Sequence, residues 1–93
     1  MKKIRVKLEG EILDAYKAIF FEYESCDKAA KFPEKVMKLS DDTFRCVYEG
    51  VNRALSNQQR YPKKTGREYK ALCQLIEILD TEYYEQRESK FYL

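Results

Sequence analysis

The feature that most constrains this chain is a run of strict alternation close to its start. Residues 3–8 read Lys-Ile-Arg-Val-Lys-Leu, polar and apolar in turn, with two β-branched residues. A period of two is the mark of a half-buried strand, here with Ile4, Val6 and Leu8 facing a core and Lys3, Arg5 and Lys7 facing out. The residues after Leu8 have helical spacing, and a lone strand among helices leaves backbone donors and acceptors unmet. Such a strand needs a pairing partner, which either another segment of the chain or a symmetry-related copy in a homodimer can supply.

From Glu9 the period changes. Ile12, Tyr16, Ile19, Phe20 and Tyr23 recur at helical spacing, with acids in the first turns where the helix dipole favours them, so a helix is expected over residues 9–25. Pro33 suits a first helical position, and a short helix over 33–39 is expected behind it. Ser40, Asp41 and Asp42 offer N-caps for a helix over 41–56 with the stripe Phe44, Val47, Tyr48, Val51, Ala54 and Leu55. Thr65-Gly-Arg-Glu68 has the form of a capping box, opening a helix over 66–87 that is apolar around much of its circumference and is therefore expected at the centre. Residues 89–93 are expected as a short strand or a docked tail. The expected fold is mainly α: one domain spanning 1–93, a bundle of three to four helices preceded by one short N-terminal strand.

A chain of 93 residues has room for a single core, and its 44% apolar and 14% aromatic content is enough to fill one. The net charge of +2 is too small to imply a polyanionic partner by itself, but the charge comes in blocks. Residues 2–7 carry four cations and no acid, 9–27 one lysine against six acids, 53–70 six cations against Glu68, and 71–90 five acids against Arg87 and Lys90. No apolar run approaches the length needed to cross a bilayer, and the opening MKKIRVKLEG lacks the apolar segment of a signal peptide. A cytoplasmic protein without membrane contact is expected. With that goes the expectation that Cys26, Cys46 and Cys73, odd in number and far apart, are three ordinary thiols.

Catalytic constellations fail on absent partners. The chain has no histidine, which removes the commonest general base and the commonest metal ligand. Cys73 and Cys46 fall on or beside helix stripes, and Cys26 falls in an expected turn with nothing to activate it. The carboxylate pairs Glu9/Glu11, Asp41/Asp42 and Glu82/Glu85 sit at helix starts or on solvent positions. The three glycines are scattered, so no phosphate loop is present. No enzyme activity, cofactor or metal is expected. The segment Arg60-Tyr-Pro-Lys-Lys-Thr-Gly-Arg67 gathers Arg60, Lys63, Lys64 and Arg67 near a helix start, where an anion or an acidic protein surface would be favoured.

Residues 3–20, KIRVKLEGEILDAYKAIF, resemble the opening of ribbon-helix-helix DNA-binding proteins: a short alternating strand, a brief break and an amphipathic helix. The resemblance implies a dimer whose paired strands enter the major groove, with Lys3, Arg5 and Lys7 as readers and Arg5 suited to guanine. The sequence supports two readings of function. One is a non-catalytic protein-interaction module, an adaptor or inhibitor docking on a larger protein or nucleoprotein complex, of the kind often carried by phages and mobile elements. Tyr61, Tyr84 and Tyr92, off the core stripes, are its candidate anchors. The other is a dimeric DNA-binding regulator of ribbon-helix-helix type. The protein-interaction reading is preferred because it asks less of the sequence.

Overall fold

The N-terminal alternation becomes a strand, β1 (Ile4–Lys7), and its partner comes from the same chain. The computed structural model describes residues 2–23 and 33–91. Over these, β1 is followed by α1 (Gly10–Tyr23), β2 (Val36–Leu39), α2 (Asp41–Leu55) and α3 (Arg67–Arg87). The fold is mainly α, three helices carrying one short strand pair.

The second strand corrects the helix expected over 33–39. Lys35, Met37, Lys38 and Leu39 are good helix formers, and Pro33 is well placed to start a helix. Nevertheless residues 36–39 run exposed, buried, exposed, buried, a period of two. They pair antiparallel with β1 in the register Ile4↔Leu39, Arg5↔Lys38, Val6↔Met37 and Lys7↔Val36. One residue beyond, the Leu8 amide donates to the Lys35 carbonyl at 2.7 Å. Propensity is a weak local preference, and the unmet backbone of β1 outweighs it.

A two-stranded ribbon is marginal alone. Here its inner face carries Ile4, Val6, Leu8, Met37 and Leu39, all 0% exposed, each contributing about 1.5–3 kcal/mol on burial. They share one core with side chains of α1 (Leu13, Tyr16, Ile19, Phe20), α2 (Phe44, Val47, Val51, Ala54) and α3 (Leu72, Leu75, Leu79). The third helix packs on α1, α2 and β1, the central place its broad apolar surface predicts. Gly10, at φ +53°, turns the chain from strand into helix in a backbone region that L side chains rarely occupy.

The free edge of β1 is closed by a side chain. The Arg5 amide donates to Gln86 Oε1 at 2.8 Å, and Gln86 Nε2 donates to the Arg5 carbonyl at 2.9 Å, so one α3 amide imitates a neighbouring strand. Arg87 continues the seam. Its guanidinium donates to the Lys2 carbonyl and bonds Asp41 Oδ1 at 3.0 and 3.1 Å, tying the end of α3 to the start of α2. Pairing β1 therefore requires no second copy.

Ser40 is the N-cap of α2, its hydroxyl accepting from the Thr43 amide at 3.2 Å with Asp41 and Asp42 in the first turn. The capping box expected at Thr65 does not form. The N-cap of α3 is Gly66, with no side-chain cap, and Glu68 turns toward the preceding loop instead. After α3 the chain docks back through Phe91, whose ring lies 4.7–5.1 Å from those of Tyr48, Phe44 and Tyr83. The docked tail is thus present at Phe91, while Tyr92 falls outside the described residues, as do Cys26 and the expected end of the first helix.

The expectation of three ordinary thiols is also corrected. Cys46, 2% exposed, is disulfide-bonded, while Cys73 is a half-buried free thiol. An odd cysteine count is as compatible with a bridge and a leftover thiol as with three thiols. Among the described residues no helix is long and apolar enough to cross a membrane.

Candidate functional site: the outer face of the ribbon

Side chains alternate across a strand, so burying Ile4, Val6, Met37 and Leu39 sends their neighbours to the opposite face. That face carries Arg5 and Lys7 on β1 and Val36 and Lys38 on β2, with Lys3 just before β1. All are exposed. Lys3, Arg5 and Lys7 are the three cations the alternation pointed to. Lys38 is a fourth that the sequence did not yield, because its segment reads as a helix; had it been read as β1's partner, the alternation Val36-Met37-Lys38-Leu39 would have placed Lys38 outward.

Arg5 and Lys38 stand directly opposite each other. Like charges at directly opposed positions destabilise a sheet, by up to about 1 kcal/mol. None of Lys3, Arg5, Lys7 and Lys38 forms an ion pair among the described residues. Carboxylates border the patch without neutralising it. Lys3 shares a depression with Ser40, Asp41, Asp42 and Arg87, and Lys7 lines another with Glu77 and Glu82 of α3. The result is a small cationic platform on the ribbon, bordered by acids beside Lys3 and beside Lys7.

The second basic segment has one of its four cations taken up within the fold. Arg60 is held in a half-buried ion pair, its Nε and a terminal nitrogen donating to Glu68 Oε1 at 2.9 and 2.7 Å. Arg67 is 91% exposed and lies 3.9 Å from a similarly exposed Glu11, an arrangement of little energetic weight. Lys63 and Lys64 are exposed in the loop. Of the tyrosines named as interface anchors, Tyr84 is exposed at 57%. Tyr61 is not. It is 7% exposed, its ring packed edge-on to Tyr69 at 5.4 Å and its hydroxyl donating to Glu68. A loop can bury an aromatic that no helical stripe would reveal.

Arg60, Tyr61 and Glu68 form a latch joining the loop to the start of α3. Burial by itself would raise the Glu68 carboxyl, but hydrogen bonds from Tyr61 and Arg60, with the charge of Arg60, outweigh it and hold it below the usual range. Burial pushes the Tyr61 phenol up to about 12, helped by Glu68 and opposed by Arg60. The Tyr48 phenol is raised to about 12 by burial and by its 2.9 Å bond to Asp80. The lowered Glu68 stabilises the fold above the unfolded carboxyl pKa and loses that contribution as pH falls through its folded value. The raised tyrosines stabilise it below 10.0 and lose that contribution as pH climbs through about 12. Glu68→Gln is expected to cost about 1 kcal/mol at neutral pH, the half-exposed setting reducing the usual worth of a charged hydrogen bond. In urea melts across pH the variant should converge with the parent in acid; a constant difference down to low pH would mean that the Glu68 charge does not hold the latch.

Comparison with protein-family models, with curated proteins and with solved structures returns no match.

Proposed function

We propose that this chain is a non-catalytic protein-interaction module, a small adaptor or inhibitor that docks on an acidic surface of a larger protein through the outer face of the β1–β2 ribbon. The observation that carries the reading is the concentration of Lys3, Arg5, Lys7 and Lys38 on one exposed face, two of them directly opposed, with no ion pair among the described residues. An anionic partner relieves that repulsion. The bordering carboxylates favour a partner whose acids can be confined to the ribbon over a stiff duplex whose phosphates run on past it. Asp42, Glu77 and Glu82 would meet the phosphates of a duplex laid across the ribbon, whereas a protein surface can place cations against them. The disulfide at Cys46 favours oxidising surroundings over the reducing cytoplasm expected from sequence.

One observation favours a second reading. A two-stranded antiparallel ribbon fits the DNA major groove, and Arg5 stands at its centre, so a single chain would offer what the ribbon-helix-helix resemblance takes from two. Fluorescence anisotropy with labelled polyglutamate and with a labelled DNA duplex separates the two. The protein-docking reading expects salt-sensitive binding of polyglutamate and weaker binding of the duplex. Duplex binding that is the tighter of the two, and drops about a hundredfold between about 50 and 200 mM salt as four released counterions require, would favour DNA instead.

A further inference from the structure

We propose that the ribbon face selects an extended acidic segment of its partner that carries one apolar side chain between carboxylates, with Val36 as the seat for that side chain. The inference rests on the protein-docking reading above and adds what the docked segment must contain.

Val36 and Tyr84 are the two large hydrophobic side chains exposed among the described residues, and Val36 alone of the two lies on the ribbon. It sits directly across from Lys7, two residues before Lys38 on its own strand and diagonal to Arg5. One apolar side chain is thus enclosed by three cations. An outward position on a two-stranded ribbon asks for strand propensity, which threonine supplies without exposing an apolar side chain to water. Lysine and arginine stems are themselves apolar up to their charged heads. With Val36 they form a small apolar floor with positive charge at its rim, the layout of a protein-docking site: a dry centre and a polar border. Same-face side chains of a strand recur at about 6.5–7 Å, and directly opposed ones lie about 5 Å apart. An extended segment laid along the ribbon can therefore place one apolar side chain on Val36 while flanking carboxylates reach Lys7, Arg5 and Lys38. Duplex DNA has no use for such a floor at the level of its phosphates, where the cations would be engaged.

Two labelled peptides test this, Glu-Glu-Leu-Glu-Glu and Glu-Glu-Ser-Glu-Glu, titrated with the full chain and with its Val36→Thr variant. Threonine keeps the shape and strand propensity, and far-UV circular dichroism checks that the variant remains folded. The leucine peptide should bind the parent about three- to tenfold more tightly than the serine peptide, and that advantage should vanish in Val36→Thr. Equal binding of both peptides by the parent, or a leucine advantage that survives in the variant, overturns the inference and leaves the docking reading standing. Failure of both peptides and of polyglutamate overturns the docking reading itself. Tighter binding of a DNA duplex than of either peptide also overturns the inference, by assigning the face to nucleic acid.

Discussion

Phe44→Ala is expected to remove about 3–5 kcal/mol of stability, Phe44 being the largest fully buried side chain among the described residues. Phe44 is 0% exposed, at the foot of α2, and three rings converge on it: Tyr83 at 5.1 Å, Phe91 at 4.9 Å and Tyr48 at 6.1 Å. Truncation opens a cavity among side chains from α2, α3 and the C-terminal tail at once, and forfeits aromatic contacts beyond the area term. A chain of 93 residues has only about 5–14 kcal/mol of total stability, so the variant stands near the edge of folding. Its midpoint should drop by at least about 12 °C. Phe44→Leu, which refills much of the volume, should cost about 1.5 kcal/mol or less. Thermal melts followed by circular dichroism and tyrosine fluorescence read both. A loss below about 1 kcal/mol for the alanine variant would mean that the aromatic cluster does not organise this end of the core.

How much of this is legible in the amino-acid sequence depends on whether the deciding force is local. The strand at Ile4–Lys7 is visible because strict alternation has no helical reading, and α2 and α3 because their stripes run over several turns and Ser40 is a strong cap. The second strand is hidden because Lys35, Met37, Lys38 and Leu39 are good helix formers, and only the empty edge of β1 turns them into a ladder. Lys38 is lost with it. The capping box at Thr65 is misleading for a related reason: Glu68 has the right spacing to bond back to its own helix start, yet Arg60 and Tyr61, brought close by the loop, hold it more strongly. Gln86 closing the edge of β1, 81 residues away in sequence, leaves no local trace at all. Three of the four ribbon cations, and the strand face they share, could thus be named from sequence, but the second strand that completes that face with Lys38 could not.

The second large effect is on binding. Replacing Lys3, Arg5, Lys7 and Lys38 together by glutamine should abolish polyglutamate binding while leaving the fold intact, since all four side chains are exposed and none is ion-paired among the described residues. Relieving the directly opposed Arg5 and Lys38 charges should even raise stability, by up to about 1 kcal/mol. Loss of binding together with a gain of stability is the signature of charges held for a partner; charges that serve only as a solvated face would give the gain without the loss. The matching change of Lys63, Lys64 and Arg67 to glutamine is the control, because these exposed residues lie off the ribbon, on the loop and at the start of α3. The most direct single measurement is therefore anisotropy of labelled polyglutamate against the parent, the ribbon variant and the loop variant at low salt. A docking face on the ribbon predicts binding by the parent and the loop variant and none by the ribbon variant. Binding that survives in the ribbon variant and disappears in the loop variant would contradict it.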